Sequence, residues 1–215
     1  DEFDKELEKR GHRFCRYADD CNIFVRTKKA GQRVMDNVVR FLEDKLKLKV
    51  NREKSAVDFA TKRKFLGFSF YYAKGGARIR VHRKSFDRLK AKMKGITGRS
   101  NAMSMERRIT ELNQSIRGWV NYFRIADMKN QIREQDEWLR RRLRMCYWKQ
   151  WKRIGTKCQN LVRLGIPEGK AWEYANTRKS YWRIANSPIL ARSLTNEYFK
   201  GMGLTTLTMV YESVR

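Results

Sequence analysis

The run Arg16-Tyr17-Ala18-Asp19-Asp20-Cys21-Asn22-Ile23-Phe24-Val25 constrains this chain more than any other. Phe14 and Arg16 alternate with Cys15 and Tyr17, and Cys21, Ile23 and Val25 alternate with Asn22 and Phe24. That pattern predicts two short strands joined by a tight turn. Buried flanks would fix the turn while its tip stays wet. Two readings of the tip stand. Adjacent Asp residues are ordinary turn chemistry, because Asp tolerates unusual backbone angles and bonds its own neighbours. Ionised Asp19 and Asp20 on a rigid tip are equally hard oxygen ligands suited to Mg²⁺, and paired Mg²⁺ ions serve in-line phosphoryl transfer.

The surrounding sequence is mixed. Asp1 to Arg10 reads as the charged end of a helix stopped by Gly11. A helix over about 30–45 carries Val34, Val38, Phe41 and Leu42 on one face. Leu46 to Val50 alternates as a strand, Asn51 to Lys54 turns, and Phe65 to Phe70 reads as another strand. Ala73-Lys74-Gly75-Gly76-Ala77 is a hairpin loop returning through Arg78 to Val81.

After residue 81 the period becomes helical. Phe86, Leu89 and Met93 mark one helix, ending near Gly95 or Gly98. Ser104 caps a second, with Met105, Ile109, Leu112, Ile116, Trp119, Val120 and Phe123 on its apolar face; Trp119 belongs with the core. A third spans about 129–153, burying Ile132, Leu139, Leu143, Cys146 and Tyr147. Its opposite face carries Arg141, Arg144, Trp148 and Lys152. That face is either a solvated charged surface or a phosphate-contacting one with a stacking platform. Beyond 155, Gly165-Ile166-Pro167-Glu168 stops and restarts a helix, an aromatic-rich helical unit follows, and a last helix spans about Ile189 to Lys200. This block either docks on the middle bundle or stands as its own module. The expected class is α+β, with boundaries at 1–81, 82–155 and 156–215.

Charge narrows the partner. The chain has 50 Lys+Arg against 23 Asp+Glu, a net +27, and residues 61–160 alone carry +20. Self-repulsion of that size suits a polyanion. No apolar run approaches bilayer length, which argues against a membrane-spanning protein. Cys15, Cys21, Cys146 and Cys158 form no C-x-x-C pair. With only His12 and His82 beside them they do not suggest a zinc site; scattered free thiols suit a reducing cytosol. The chain opens in mid-pattern, without Met, as a piece of something longer would.

Several motifs in order resemble a known family. Tyr17-Ala18-Asp19-Asp20 is similar to the catalytic box of reverse transcriptases. Leu46-x-Leu48-x-Val50-Asn51-x-x-Lys54-Ser55 and Phe65-Leu66-Gly67-Phe68 resemble the next two blocks. Gly118-Trp119-Val120-Asn121-Tyr122-Phe123, Trp138 to Arg144 and Trp148 to Lys152 resemble the maturase-specific X region of group II intron-encoded proteins. Asn176 to Arg183 resembles the DNA-binding region that closes the compact bacterial members, which carry no endonuclease domain.

The resemblance implies the later palm of a right-hand polymerase, a helical thumb and a small helical DNA-binding tail. It implies RNA-directed DNA synthesis, intron RNA binding and splicing assistance, and intron mobility. A maturase that binds RNA without catalysis is the other reading. Asp19 and Asp20 match the carboxylates that hold Mg²⁺, Asp19 more firmly. Tyr17 and Ala18 match the floor beneath the incoming nucleotide and primer end. Lys54 matches a Lys near the leaving pyrophosphate, or is an ordinary surface Lys. Phe65, Leu66 and Gly67 match the primer grip, though Phe65 and Phe68 are equally readable as core. Arg141, Arg144, Trp148 and Lys152 fall to RNA; Arg178, Lys179 and Arg183 fall to DNA. The implied partners are group II intron RNA, a primer–template duplex, target DNA and the missing N-terminal half with the fingers and first palm blocks, either a separate chain or a preceding part of the same one. The setting is a cytoplasmic ribonucleoprotein. Another metal-binding Asp belongs to those earlier blocks, so this polypeptide alone is expected not to polymerise DNA.

Overall fold

The computed structural model describes residues 1–215, which fall into two units, Asp1–His82 and Arg83–Arg215. The first mixes helix with small antiparallel sheets and the second is helical throughout, so the class is α+β. No helix is long and apolar enough to cross a membrane.

In the first unit, helix α1 (Glu2–Lys9) starts from Asp1, whose carboxylate accepts from the Phe3 N–H at 3.0 Å. That bond satisfies one of the helix's orphan donors. Phe3 and Leu7, one turn apart, are buried, and Phe3 stacks on Phe41 at 6.5 Å. Strands β1 (Arg13–Tyr17) and β2 (Asp20–Phe24) pair antiparallel, with Phe14 opposite Ile23 and Tyr17 opposite Asp20. Helix α2 (Lys28–Arg40), capped by Thr27, continues through a π-helical turn at Phe41–Lys45. Its Gly31 is buried, and a Cβ there would stand 2.6 Å from Cγ1 of Val57. Glycine thus lets the following loop close onto the helix. Strands β3 (Phe68–Ala73) and β4 (Gly76–Val81) form a second hairpin around Lys74-Gly75. The hairpins share no hydrogen-bonded edge. Phe24 and Phe70 meet edge to face at 6.3 Å.

Two expectations fail here. Leu46–Val50 is not a strand. A strand must pair its N–H and C=O groups with a neighbour, and no strand edge pairs with this segment. Instead the amides of Leu46 and Leu48 bond back to the carbonyls of Phe41 and Leu42 at 3.3 and 2.9 Å. Lys47 takes a left-handed φ of 54°. Nor is Phe65–Phe70 one strand. Phe65 and Phe68 exchange both backbone bonds, at 3.0 and 2.9 Å. Between them Leu66 and Gly67 sit at φ 52° and 87°. Two successive positive φ values mark a type I′ turn, so β3 begins only at Phe68.

The second unit is built on α3 (Arg83–Ile96), α4 (Met105–Phe123) and α5 (Lys129–Gln150). Ser104 caps α4 through the Arg107 N–H at 3.2 Å. Six of the seven apolar residues assigned to its core face are buried, and Trp119 is half-buried between Phe86 and Phe123, at 5.0 and 4.7 Å. Ile132, Leu139, Leu143, Cys146 and Tyr147 of α5 are buried as the period requires.

The remaining helices are α6 (Ile154–Arg163), α7 (Glu168–Ala175), α8 (Tyr181–Ile184), α9 (Pro188–Ser193), α10 (Asn196–Gly201) and α11 (Leu207–Ser213). The single helix expected over 189–200 is two. Leu194 breaks it with ψ of 73°, and Thr195 caps the restart through the Tyr198 N–H at 3.1 Å. Helix α11 has no counterpart in the sequence reading. It packs on α4 and α5. Buried Asp136 of α5 accepts from the Leu207 and Thr208 amides, both at 2.9 Å, and from Thr208 Oγ1 at 2.7 Å. Burial lifts the Asp136 carboxyl above the usual range although these three donors pull it down.

Candidate active site and nucleic-acid interface

The carboxylate turn is tighter than the sequence suggested. Tyr17 pairs with Asp20, leaving Ala18 and Asp19 as the two turn residues. Ala18 adopts φ 52°, as the first position of a primed hairpin turn demands. Asp19 therefore forms the tip, and Asp20 opens β2. Both are exposed, as are Ala18 and Tyr17, the last at 65%. No hydrogen bond or ion pair occupies either carboxylate side chain.

Arg16, which the sequence reading took only as a strand residue, is the anchor of this turn. Its Nε and Nη2 grip Asp4 at 2.6 Å each, Nη2 also bonds Asp1, and Nη1 donates to the Ala18 carbonyl at 3.0 Å. The bidentate fork links α1 to the turn. Hydrogen bonding from Arg16 holds the Asp4 carboxyl below its ordinary value and raises the guanidinium in return. The available signal was the Asp1, Asp4 spacing, which puts two acids on one face of α1. Beside the turn, burial pushes the Cys21 thiol up to about 11, partly offset by Arg16. A thiol so placed stays neutral and unreactive.

Exposed carboxylate oxygens suit a hard cation, and Asp19 and Asp20 fit Mg²⁺ in kind. They do not complete a site: nowhere do three or more His, Cys, Asp or Glu side chains converge. Lys54 is exposed, its backbone fixed because the Asn51 side chain accepts from its N–H at 3.1 Å and its carbonyl accepts from Arg63 at 3.2 Å. No bond joins it to Asp19 or Asp20. Phe65 and Leu66 are half-buried and Gly67 is buried, its carbonyl accepting from the His82 N–H at 2.9 Å. These three form the turn before β3 rather than an extended strand.

In the helical unit the expected RNA-facing side of α5 is mostly internal. Trp148 is only 2% exposed. Arg141 donates twice to the Trp182 carbonyl, at 2.9 and 3.3 Å, and stacks 3.9 Å over the Trp182 ring. Arg144 donates to the Leu194 carbonyl at 3.1 Å, and burial lowers its pKa. Lys152, beyond the end of α5, is exposed. The physical reason is that α5 is covered on both sides, by α3 and α11 and by α8. An arginine can cross such an interface because its fork satisfies carbonyls at the ends of other segments. Arg142 does the same for α3, reaching Thr97 Oγ1, Thr97 O and Lys94 O at 2.7, 2.8 and 3.1 Å.

Residues 1–70 match the family model for reverse transcriptase (RNA-dependent DNA polymerase). Residues 86–165 match the group II intron, maturase-specific domain. The chain belongs to the reverse transcriptase/maturases encoded by group II introns. No curated protein matches it.

In this reverse transcriptase/maturase the first match contains the carboxylate hairpin, and the second runs from α3 through α6. Arg178 and Lys179 are exposed between α7 and α8, and Arg183 is exposed on α8. Next to them, Tyr181 has Arg99 and Lys149 over its ring, at 4.8 and 5.5 Å.

Proposed function

We propose that this chain is the C-terminal portion of a group II intron reverse transcriptase, working in RNA-directed DNA synthesis, intron RNA binding, splicing and intron mobility. The observation that carries the catalytic part is the Tyr17-Ala18-Asp19-Asp20 tip: two unpaired, exposed carboxylates on a hairpin clasped by Arg16. Asp19 and Asp20 would hold Mg²⁺, which when bound supplies charge neutralisation to nucleotidyl transfer. Tyr17 and Ala18 line the floor for the nucleotide and primer end, and Phe65, Leu66 and Gly67 shape the primer side. Lys54 is free to approach a leaving pyrophosphate. The remaining metal ligand would come from the fingers and first palm blocks, whether these lie on a separate chain or upstream on the same one, so residues 1–215 by themselves are not expected to polymerise. Residues 1–81 then form late palm, 82–155 the thumb, and 156–215 the DNA-binding tail. Arg178, Lys179 and Arg183 are assigned to target DNA in a cytoplasmic ribonucleoprotein.

The test joins the chain to such a half and measures primer extension with and without Asp19→Ala. Equal extension by both proteins would remove Asp19 from the metal site.

A second reading, an RNA-binding maturase without catalysis, is favoured by the maturase-specific match over residues 86–165 and the net charge of +27. It predicts splicing assistance that is indifferent to Asp19→Ala and no extension in the joined protein.

A further inference from the structure

Besides Trp119 of α4 the helical unit contains five tryptophans; Trp172 of α7 is exposed, and the other four divide into two kinds. Trp148 and Trp151 are core, 2% and 8% exposed. Trp138 and Trp182 are half-buried and line one cleft of about 310 Å³. Lys90, Ala91 and Lys94 from α3 and Arg142 from α5 complete its wall. No acidic side chain lines it. Lys90 Nζ lies 5.2 Å and the Arg142 guanidinium 5.4 Å from the centre of the Trp138 ring. Arg142 is fixed by its bonds to Thr97 and Lys94, so its charge cannot swing away. Lys90 and Lys94 are exposed and form no ion pair. Lysine ammonium groups on flexible stems can leave a ring face for a phosphate.

Each component has a chemical consequence. Indole faces stack on nucleobases of any sequence, and unpaired cations at the rim attract phosphate. The volume is near the lower end for ligand pockets, ~300–1,000 Å³, which suits one nucleotide. A base already stacked inside a duplex has no free face to offer. We propose that the cleft between α3, α5 and α8 binds one unstacked nucleotide of a single-stranded nucleic acid. Trp138 stacks on the base and Lys90 and Lys94 hold the flanking phosphates. The proposal rests on the nucleic-acid function above and assigns a site that the expected α5 face did not supply.

The experiment titrates the chain with three pentamers of equal charge: oligouridylate, oligothymidylate and an abasic ribose-phosphate. Intrinsic tryptophan quenching and fluorescence anisotropy are read together. Oligouridylate should bind roughly 5- to 150-fold tighter than the abasic pentamer, the span expected for one stacked base. Trp138→Ala should erase that difference while leaving abasic affinity in place, and Trp138→Phe should restore part of it. Lys90→Ala with Lys94→Ala, both at exposed positions, should weaken all pentamers and lower the salt slope by about 1.4, from ~0.7 per single-strand phosphate. Preference for oligouridylate over oligothymidylate assigns the nucleotide to RNA, and the reverse assigns it to DNA; both support the site. Equal binding of abasic and base-bearing pentamers overturns it, as does a base preference that survives Trp138→Ala. An acidic peptide that quenches as strongly as oligouridylate also overturns it. If one of these overturning results appears while the unaltered chain still binds folded intron RNA, only the cleft assignment falls; if the unaltered chain binds no RNA, the function itself falls.

Discussion

The two units differ most in what holds them together. Of the buried apolar side chains, 35 lie in Arg83–Arg215 and four in Asp1–His82: Phe3, Leu7, Val39 and Val81. The first unit instead exposes Tyr17, Phe24, Val25, Leu48, Phe59 and Tyr72. Its order comes from two short hairpins, a packed helix and the Arg16 clasp. Isolated hairpins are marginal in water, and fully burying one aliphatic side chain is worth ~1.5–3 kcal/mol, a resource the helical unit has in quantity. On the proposed reading, catalytic geometry and fold stability are thus lodged in different places. On the proposed reading the exposed apolar surface of the first unit is what a partner half covers.

The largest expected effect breaks the comparison at the catalytic end. In the joined protein, Asp19→Ala should lower primer extension by about a hundredfold or more, with RNA affinity of the helical unit intact. Next, Trp148→Ala should cost about 3–5 kcal/mol in denaturant unfolding of the helical unit. A loss of RNA affinity with stability unchanged would return Trp148 to the surface. Asp136→Ala strands two amides and a hydroxyl at the start of α11, and should cost about 1–3 kcal/mol. Its signature would be faster hydrogen exchange confined to residues 205–213. Lys152→Ala should leave stability alone and reduce the salt slope of RNA binding by about one contact; no change in slope would take Lys152 off the interface.

The smallest effect concerns the clasp. Asp4 titrates below its ordinary 3.8 because Arg16 bonds it. A carboxyl depressed in the fold contributes stability above its unfolded value and loses it as pH falls through the folded one. The clasp should therefore hold at neutral pH and release only below 3.8. Side-chain NMR should find the Asp4 midpoint below that value and Arg16→Ala should return it there. An unmoved midpoint would contradict the clasp.

Much of this was legible in the residues. The α4 core stripe follows directly from a 3.6-residue period, and Ser104 announces its start. The carboxylate hairpin follows from alternation around a turn. What escaped was set by tertiary partners. Leu46–Val50 has a strand's pattern without a strand's neighbour. Helix α11 is seven residues long and depends on Asp136, 71 residues before the amide it caps. Arg141, Arg144 and Arg142 carry charge but spend it on carbonyls of other segments, so a count of cations overstated the open basic surface of α5. Thr195 was a cap in plain view, but no Gly or Pro stands between Ile189 and Lys200 to announce the break.

The difference between the units meets its most direct test in hydrogen exchange of the β1–β2 amides, with and without a separately produced half carrying the fingers and first palm blocks. The account predicts fast exchange in the chain alone, slow exchange once that half is added, and primer extension arising together with the protection. Exchange as slow as that of α4 in the chain alone, or extension without the added half, would contradict it.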